Sequence, residues 1–186
     1  MATLARNNPR SVSWMNGAGH RLTLGVFMFI VLAHWAEHLV QAAQIWAFNQ
    51  PRPQARGVLG QFYPWLVSSE LLHYGYAIVM LIGLFALRDG FVGRARTWWT
   101  VALAIQFWHH IEHLLLLIQA QTHNYLFGAA VPTSILQYFY PRVELHLFYN
   151  TIVFVPMVVA MYFHLRPKDA ERELTVCTCA RELVRV

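Results

Sequence analysis

The chain has 186 residues, enough for one domain, and is 57% hydrophobic but only 12% charged, where soluble domains carry roughly 25% charge. That balance excludes an ordinary water-soluble fold and predicts an all-α integral membrane protein with the lipid bilayer as its surroundings. The net charge of +5 has no clustered basic face or recognition motif behind it, so nucleic acid is excluded as a partner.

Residues 1–21 form a polar arm with Asn7, Asn8, Pro9, Ser11, Ser13 and Gly17. The first apolar stretch, 22–48, is too long for a signal-peptide core, is interrupted by His34, Glu37 and His38, and shows no small-residue cleavage site. It reads as a retained span. Pro51, Pro53, Gly57 and Gly60 break the connection that follows. The second span is expected at 62–87, with Glu70, His73 and Tyr74 in its first half. A short turn around Asp89, Gly90 and Gly93 leads to the third span, 98–120, carrying His109, His110, Glu112 and His113. A longer connection with apolar and aromatic residues follows, expected to cap the membrane surface, with His123 as a candidate lid residue. The fourth span, 143–165, holds Glu144, His146 and Asn150. A polar tail, 167–186, contains the pair Cys177 and Cys179, read as a reduced pair able at most to bind a soft metal or meet a partner.

About 20 residues at 1.5 Å each cross the ~30 Å of hydrocarbon, so all four stretches can span. Trp46, Phe48, Tyr63, Trp65, Trp98, Trp99, Tyr138, Phe139 and Tyr140 sit near their ends as an interfacial belt. Of the Lys and Arg residues, eleven lie in the N-terminal arm, the second connection and the tail. Only Arg52, Arg56 and Arg142 lie in the other two connections, which predicts that both termini are cytoplasmic.

An internal repeat organises the 22–166 region. His34-Trp35-Ala36-Glu37-His38-Leu39 returns as His109-His110-Ile111-Glu112-His113-Leu114, an offset of 75 that Gln44 and Gln119 share. Leu72, His73 and Tyr76 are echoed by Leu145, His146 and Tyr149. The repeat predicts an up-down bundle of four transmembrane helices built from two helical hairpins related by a pseudo-twofold along the membrane normal.

At 100° per residue, the two His and the Glu of HxxEH share one arc of a helix face. Such faces, opposed in a bundle, build di-metal sites. In an up-down arrangement His34, His38, His73, His109, His113 and His146 all fall at one level in the outer half of the membrane. Each ionisable group near the bilayer centre costs about 2.5–3.5 kcal/mol, so groups gathered there are generally partnered and functional. The expected metal ligands are His34, Glu37, His38, His73, His109, Glu112, His113 and His146. Glu70 and Tyr74 are candidates for bridging or proton transfer, and His110, Glu144 and Asn150 for outer or additional contacts. His20 and His164 are assigned to the interfaces, far from this layer.

The function this pattern predicts is a non-haem di-metal oxidoreductase, with two iron ions, or zinc or copper in their place, acting on a hydrophobic or small substrate. An electron donor or other membrane-complex subunit would be a partner. Transport or storage of a transition metal is the alternative. It is disfavoured by the nearly unbroken apolar character of the cytoplasmic halves of the spans. Tetrapyrrole binding comes third, since haem ligation does not call for adjacent carboxylates and only Gly75 would make room for a macrocycle. HxxEH also occurs in soluble zinc proteases, but those need one motif in a wet cleft rather than two copies in apolar helices.

Overall fold

The computed structural model describes residues 13–181. Residues 1–12, including Arg6 and Arg10 of the arm, and residues 182–186, including Arg185, lie outside the described residues. All regular structure among the described residues is helical, and four helices dominate: α1 (His20–Trp46), α2 (Glu70–Leu87), α3 (Gly93–Thr122) and α4 (Arg142–Leu165). Each is long and apolar enough to cross a membrane. Their outer faces carry large apolar side chains such as Phe29, Ile82, Phe85 and Phe107, all more than half exposed. An apolar exterior of this kind is compatible with a lipid surrounding.

The helix ends follow local chemistry. Asn49, with φ 53°, and Pro51 turn the chain away after α1. His123, at φ 56°, closes α3 in the left-handed conformation, and Pro141 immediately precedes α4. The second span begins later than its hydrophobic run predicts. Leu59–Phe62 and Trp65–Ser68 are separate single turns, and α2 starts only at Glu70. Pro64 forbids helical backbone at Tyr63 (φ −130°, ψ 78°), which parts the first turn from the second, and extended Ser69 (φ −84°, ψ 109°) parts the second from α2. Ser69 then caps the new helix, its side chain accepting from Leu72 N–H at 3.4 Å. Conversely, α3 starts at Gly93, ahead of its apolar stretch, because nothing between Gly93 and Trp98 breaks a helix.

α3 packs closely against α2 and α4, and α1 lies more lightly against both. Between the two ends of the bundle sits a dry core of Leu24, Phe27, Val31, Met80, Leu84, Trp99, Ala102, Val153, Met157 and Ala160. Trp99 is fully buried, stacks on Phe91 with ring centroids 4.2 Å apart, and donates its indole N–H to the Leu84 carbonyl at 2.7 Å. Since lipid is as apolar as the core, such close packing and interhelical hydrogen bonds, rather than exclusion of water, hold membrane helices together.

The core separates two polar ends. At one, the connections 47–69 and 123–141 cover a group of histidines. At the other, Asn16 ties the segment just before α1 to the end of α2 and the turn after it, donating to the Ala86 carbonyl at 2.8 Å and accepting from Gly90 N–H at 2.9 Å.

Candidate metal centre

The structure brings His34, His38, His73, His109, His113 and His146, contributed by all four long helices, into one layer. Ring centroids are 4.5 Å apart for His34 and His38 and for His109 and His113. They are 5.4 Å apart for His38 and His146, 5.3 Å for His113 and His146, and 6.2 Å for His73 and His113. Within each HxxEH motif the two Nε2 atoms face one another across a helical turn, 3.0 Å apart in α1 and 3.2 Å apart in α3.

The outward-facing nitrogens explain how the rings are aimed. His73 Nδ1 donates to the Ser69 carbonyl at 2.9 Å, and His146 Nδ1 donates to the Arg142 carbonyl at 2.8 Å. His38 Nδ1 donates to Gln41 Oε1 at 2.7 Å. With Nδ1–H so engaged, Nε2 keeps its lone pair, which is how metal-ligating histidines are held. His146 Nε2 is buried with no hydrogen-bond partner. Behind the rings, Tyr76 stacks on His34 at 3.6 Å between centroids and Tyr149 on His109 at 4.2 Å, so both motifs have an aromatic backstop.

The carboxylates point elsewhere. Glu37 Oε1 accepts from Leu59 N–H at 2.8 Å and Gly60 N–H at 3.3 Å, so it holds the connection after α1. Glu112 Oε1 accepts from Leu136 N–H at 3.4 Å in the connection after α3, and this carboxylate also meets the Tyr149 hydroxyl. Gln44 and Gln119, one heptad beyond these glutamates, grip the same connections. Gln44 exchanges both hydrogen bonds with the Gly57 backbone, at 2.9 and 3.2 Å. Gln119 accepts from Leu126 N–H at 2.9 Å and donates to the Thr133 carbonyl at 2.9 Å. The repeated Glu and Gln thus fasten the loops over the layer. Their shared spacing of seven, one helix face, was the sequence signal for this role.

Glu70 does not reach the rings either; it makes a two-pronged ion pair with Arg142, with Nη2 to Oε2 at 2.7 Å. Glu144 pairs with Arg52. Tyr74 and His110 lie against each other, with centroids 5.2 Å apart. Asn150 borders a void of about 10 Å³ beside Trp35 and His109, its Nδ2 buried without a partner. His123 is exposed at the end of α3, 3.5 Å from the Tyr125 hydroxyl.

A cleft of about 430 Å³ leads to the layer from the end with the long connections. His38, His73 and His146 form its floor, and Arg52, Arg56 and Arg142 stand on its walls.

Sequence reasoning missed a second cluster at the opposite end. His20 and His164 do not face an interface; both are buried, 0% and 2% exposed, beside Cys177 and Cys179. The signal available was the CxC pair itself, but nothing local ties it to two histidines at far-apart helix ends.

No protein family, curated protein or solved structure matches this chain.

Proposed function

We propose that this chain is an integral membrane protein, an up-down bundle of two pseudo-twofold-related hairpins, whose histidine layer holds a pair of transition-metal ions for redox chemistry on a small molecule. The observation that carries this reading is the meeting of six imidazoles from four helices, three of them with Nδ1 engaged so that Nε2 faces inward. The matched contacts of the two halves, His34 on Tyr76 and His109 on Tyr149, support the pseudo-twofold. The excess of Lys and Arg toward the termini supports cytoplasmic termini, with the layer in the outer half of the bilayer.

Because Glu37, Glu112 and Glu70 are engaged by loop N–H groups and Arg142, the donors left are imidazoles. Imidazole suits copper, iron and zinc alike, so an imidazole-only set moves the preference from iron, which the motif's carboxylates favour, toward copper. Two such ions would each supply one electron to a bound substrate. Arginine-lined access favours a small polar or anionic substrate over a long hydrocarbon, and a partner subunit would have to return the two electrons to the ions after each turnover.

Transport of the metal is the weaker reading, because the core between the layer and the opposite end offers only methionine thioethers, such as those of Met80 and Met157, and no imidazole, thiolate or carboxylate. Tetrapyrrole binding fits least, since a haem takes two axial imidazoles and would leave the other four of the layer unexplained.

Elemental analysis and electron paramagnetic resonance of the detergent-purified protein test the proposal. Wild type should retain copper or iron, and His38→Ala and His113→Ala should each lose it while keeping their helical circular dichroism. Wild-type copper and iron content in both variants would sink the idea.

A further inference from the structure

The second cluster draws on three separate segments. His20 opens α1, His164 lies in the last turn of α4, and Cys177 and Cys179 belong to the tail that folds back across both helix ends. His164 Nε2 lies 2.8 Å from Cys179 Sγ and 3.2 Å from Cys177 Sγ, and the two sulfurs are 2.8 Å apart. One ligand atom each from His20, His164 and Cys179 lies within 4.8 Å of the others. His20 Nδ1 donates to the Met15 carbonyl at 3.0 Å, which leaves Nε2 as the lone-pair nitrogen. That Nε2 is buried with no hydrogen-bond partner, and Cys177 is fully buried. Gly90 presses on the His20 ring and has no room for a Cβ, so the turn between α2 and α3 fixes that ring in place.

We infer that His20, His164, Cys177 and Cys179 form a tetrahedral zinc site that clamps the tail to the ends of α1 and α4. Two thiolates and two imidazoles are a closed structural zinc set. Zinc at about 2.3 Å from sulfur and 2.0–2.1 Å from nitrogen implies ligand atoms roughly 3.3–3.8 Å apart. His164 and the two sulfurs therefore have to open by about 1 Å or less, while His20, within 4.8 Å of His164 and Cys179, has to close on them to complete the set. Binding releases the two thiol protons to solvent. Cys179, half-buried, borders a cleft of about 420 Å³ that also touches Met28 and Met161 and gives an ion a way in. The tail is already laid in position: Thr178 N–H donates to the Gly17 carbonyl at 3.4 Å and its hydroxyl to the Ala18 carbonyl at 3.3 Å. Cytoplasmic orientation of this end would keep the thiols reduced and available.

The test uses the full chain, stripped of metal under reducing conditions and titrated with cobalt(II) as a spectroscopic stand-in for zinc. A thiolate-to-cobalt charge-transfer band with the intense ligand-field bands of a tetrahedral ion should saturate at an intensity equal to one thiolate-bound cobalt per chain and be bleached by zinc. The band should vanish in Cys177→Ser/Cys179→Ser and in His164→Ala. It should persist in His38→Ala and His113→Ala, which separates this site from the histidine layer. Zinc should also slow tryptic cleavage at Arg172 by about tenfold or more, through preferential binding to the docked tail. Absence of the thiolate band, its survival in the double serine variant, or bleaching by copper(I) but not by zinc would overturn the assignment.

Discussion

His109 and His113 face each other across one turn of α3, Nε2 to Nε2 at 3.2 Å, with their rings 77° apart. Each also has a buried Nδ1 without a partner. A buried polar group left unsatisfied costs about 1–3 kcal/mol, so this pair is an expensive way to fill a helix interface with hydrogen bonds alone. A cation shared between the facing lone pairs would offset that cost, and the same geometry recurs at His34 and His38.

The two halves of the layer are not equivalent, and metal titration should show it. His38 is oriented by Gln41, whereas Leu116 holds the corresponding place beside His113 and offers no acceptor. Loss of such an orienting partner typically costs 10–100-fold in metal affinity. Chelator competition on the wild type should therefore resolve a tight and a weaker ion. In Gln41→Leu the tight step should weaken by about 10–100-fold toward the other, with helical content unchanged. An unaltered tight step would mean that Gln41 does not set the His38 ring.

Glu37 separates a loop-fastening role from a ligand role. Its Oε1 accepts two backbone N–H groups, and an amide oxygen can take the same place. Glu37→Gln should retain metal and melt close to wild type, while Glu37→Ala should lower stability by about 1–2 kcal/mol, read from thermal unfolding in detergent. Gly57→Ala should destabilise comparably, since Gly57 has φ 72° and its missing Cβ would run into Glu37. Metal lost from Glu37→Gln with the loop intact would return the carboxylate to the ligand set.

These contrasts mark what was legible beforehand. That His34 and His38, or His109 and His113, share a face follows from helical periodicity alone, and apolar run lengths identify four spans. The direction of a carboxylate is different, because it depends on loop backbone that lies 20 or more residues away: Glu37 is fixed by Leu59 and Gly60, Glu112 by Leu136. The late start of α2 was written in Pro64 and Ser69 but hidden by the apolar residues around them. The meeting of His20, His164 and the cysteines is purely tertiary, requiring the tail to return to the first residue of α1.

The Glu70 and Arg142 pair tests whether Glu70 serves the metal or the scaffold. The Glu70 side chain is only 9% exposed, and the Arg142 carbonyl orients His146, so the pair braces α4 against α2 at the level of the rings. Glu70→Gln and Arg142→Gln should each lower stability by about 1.5–3 kcal/mol, and the double variant should cost much less than their sum. Metal content should change little in Glu70→Gln. Strict additivity, or metal lost in Glu70→Gln alone, would instead support a bridging or proton-carrying carboxylate.

Docking of the tail should depend on acid through Glu171. Its carboxylate accepts from Arg94 N–H at 3.0 Å, from the Arg94 guanidinium at 3.1 and 3.0 Å, and from Lys168 N–H at 2.9 Å. Hydrogen bonds from the Arg94 side chain, then from its backbone, hold the Glu171 carboxyl down at about 2 from an ordinary 4.5. A depressed carboxyl stabilises the docked form fully above its undocked pKa, and that contribution falls as pH drops from 4.5 through about 2. Limited proteolysis with an acid-active protease should therefore find the tail progressively more accessible between pH 4.5 and 2 in metal-free protein. Glu171→Gln, which cannot ionise, should be more accessible than wild type at neutral pH and should lose most of the acid dependence. If Glu171→Gln instead keeps the full acid dependence, the tail is released by another group, and the contact with Arg94 does not govern its docking.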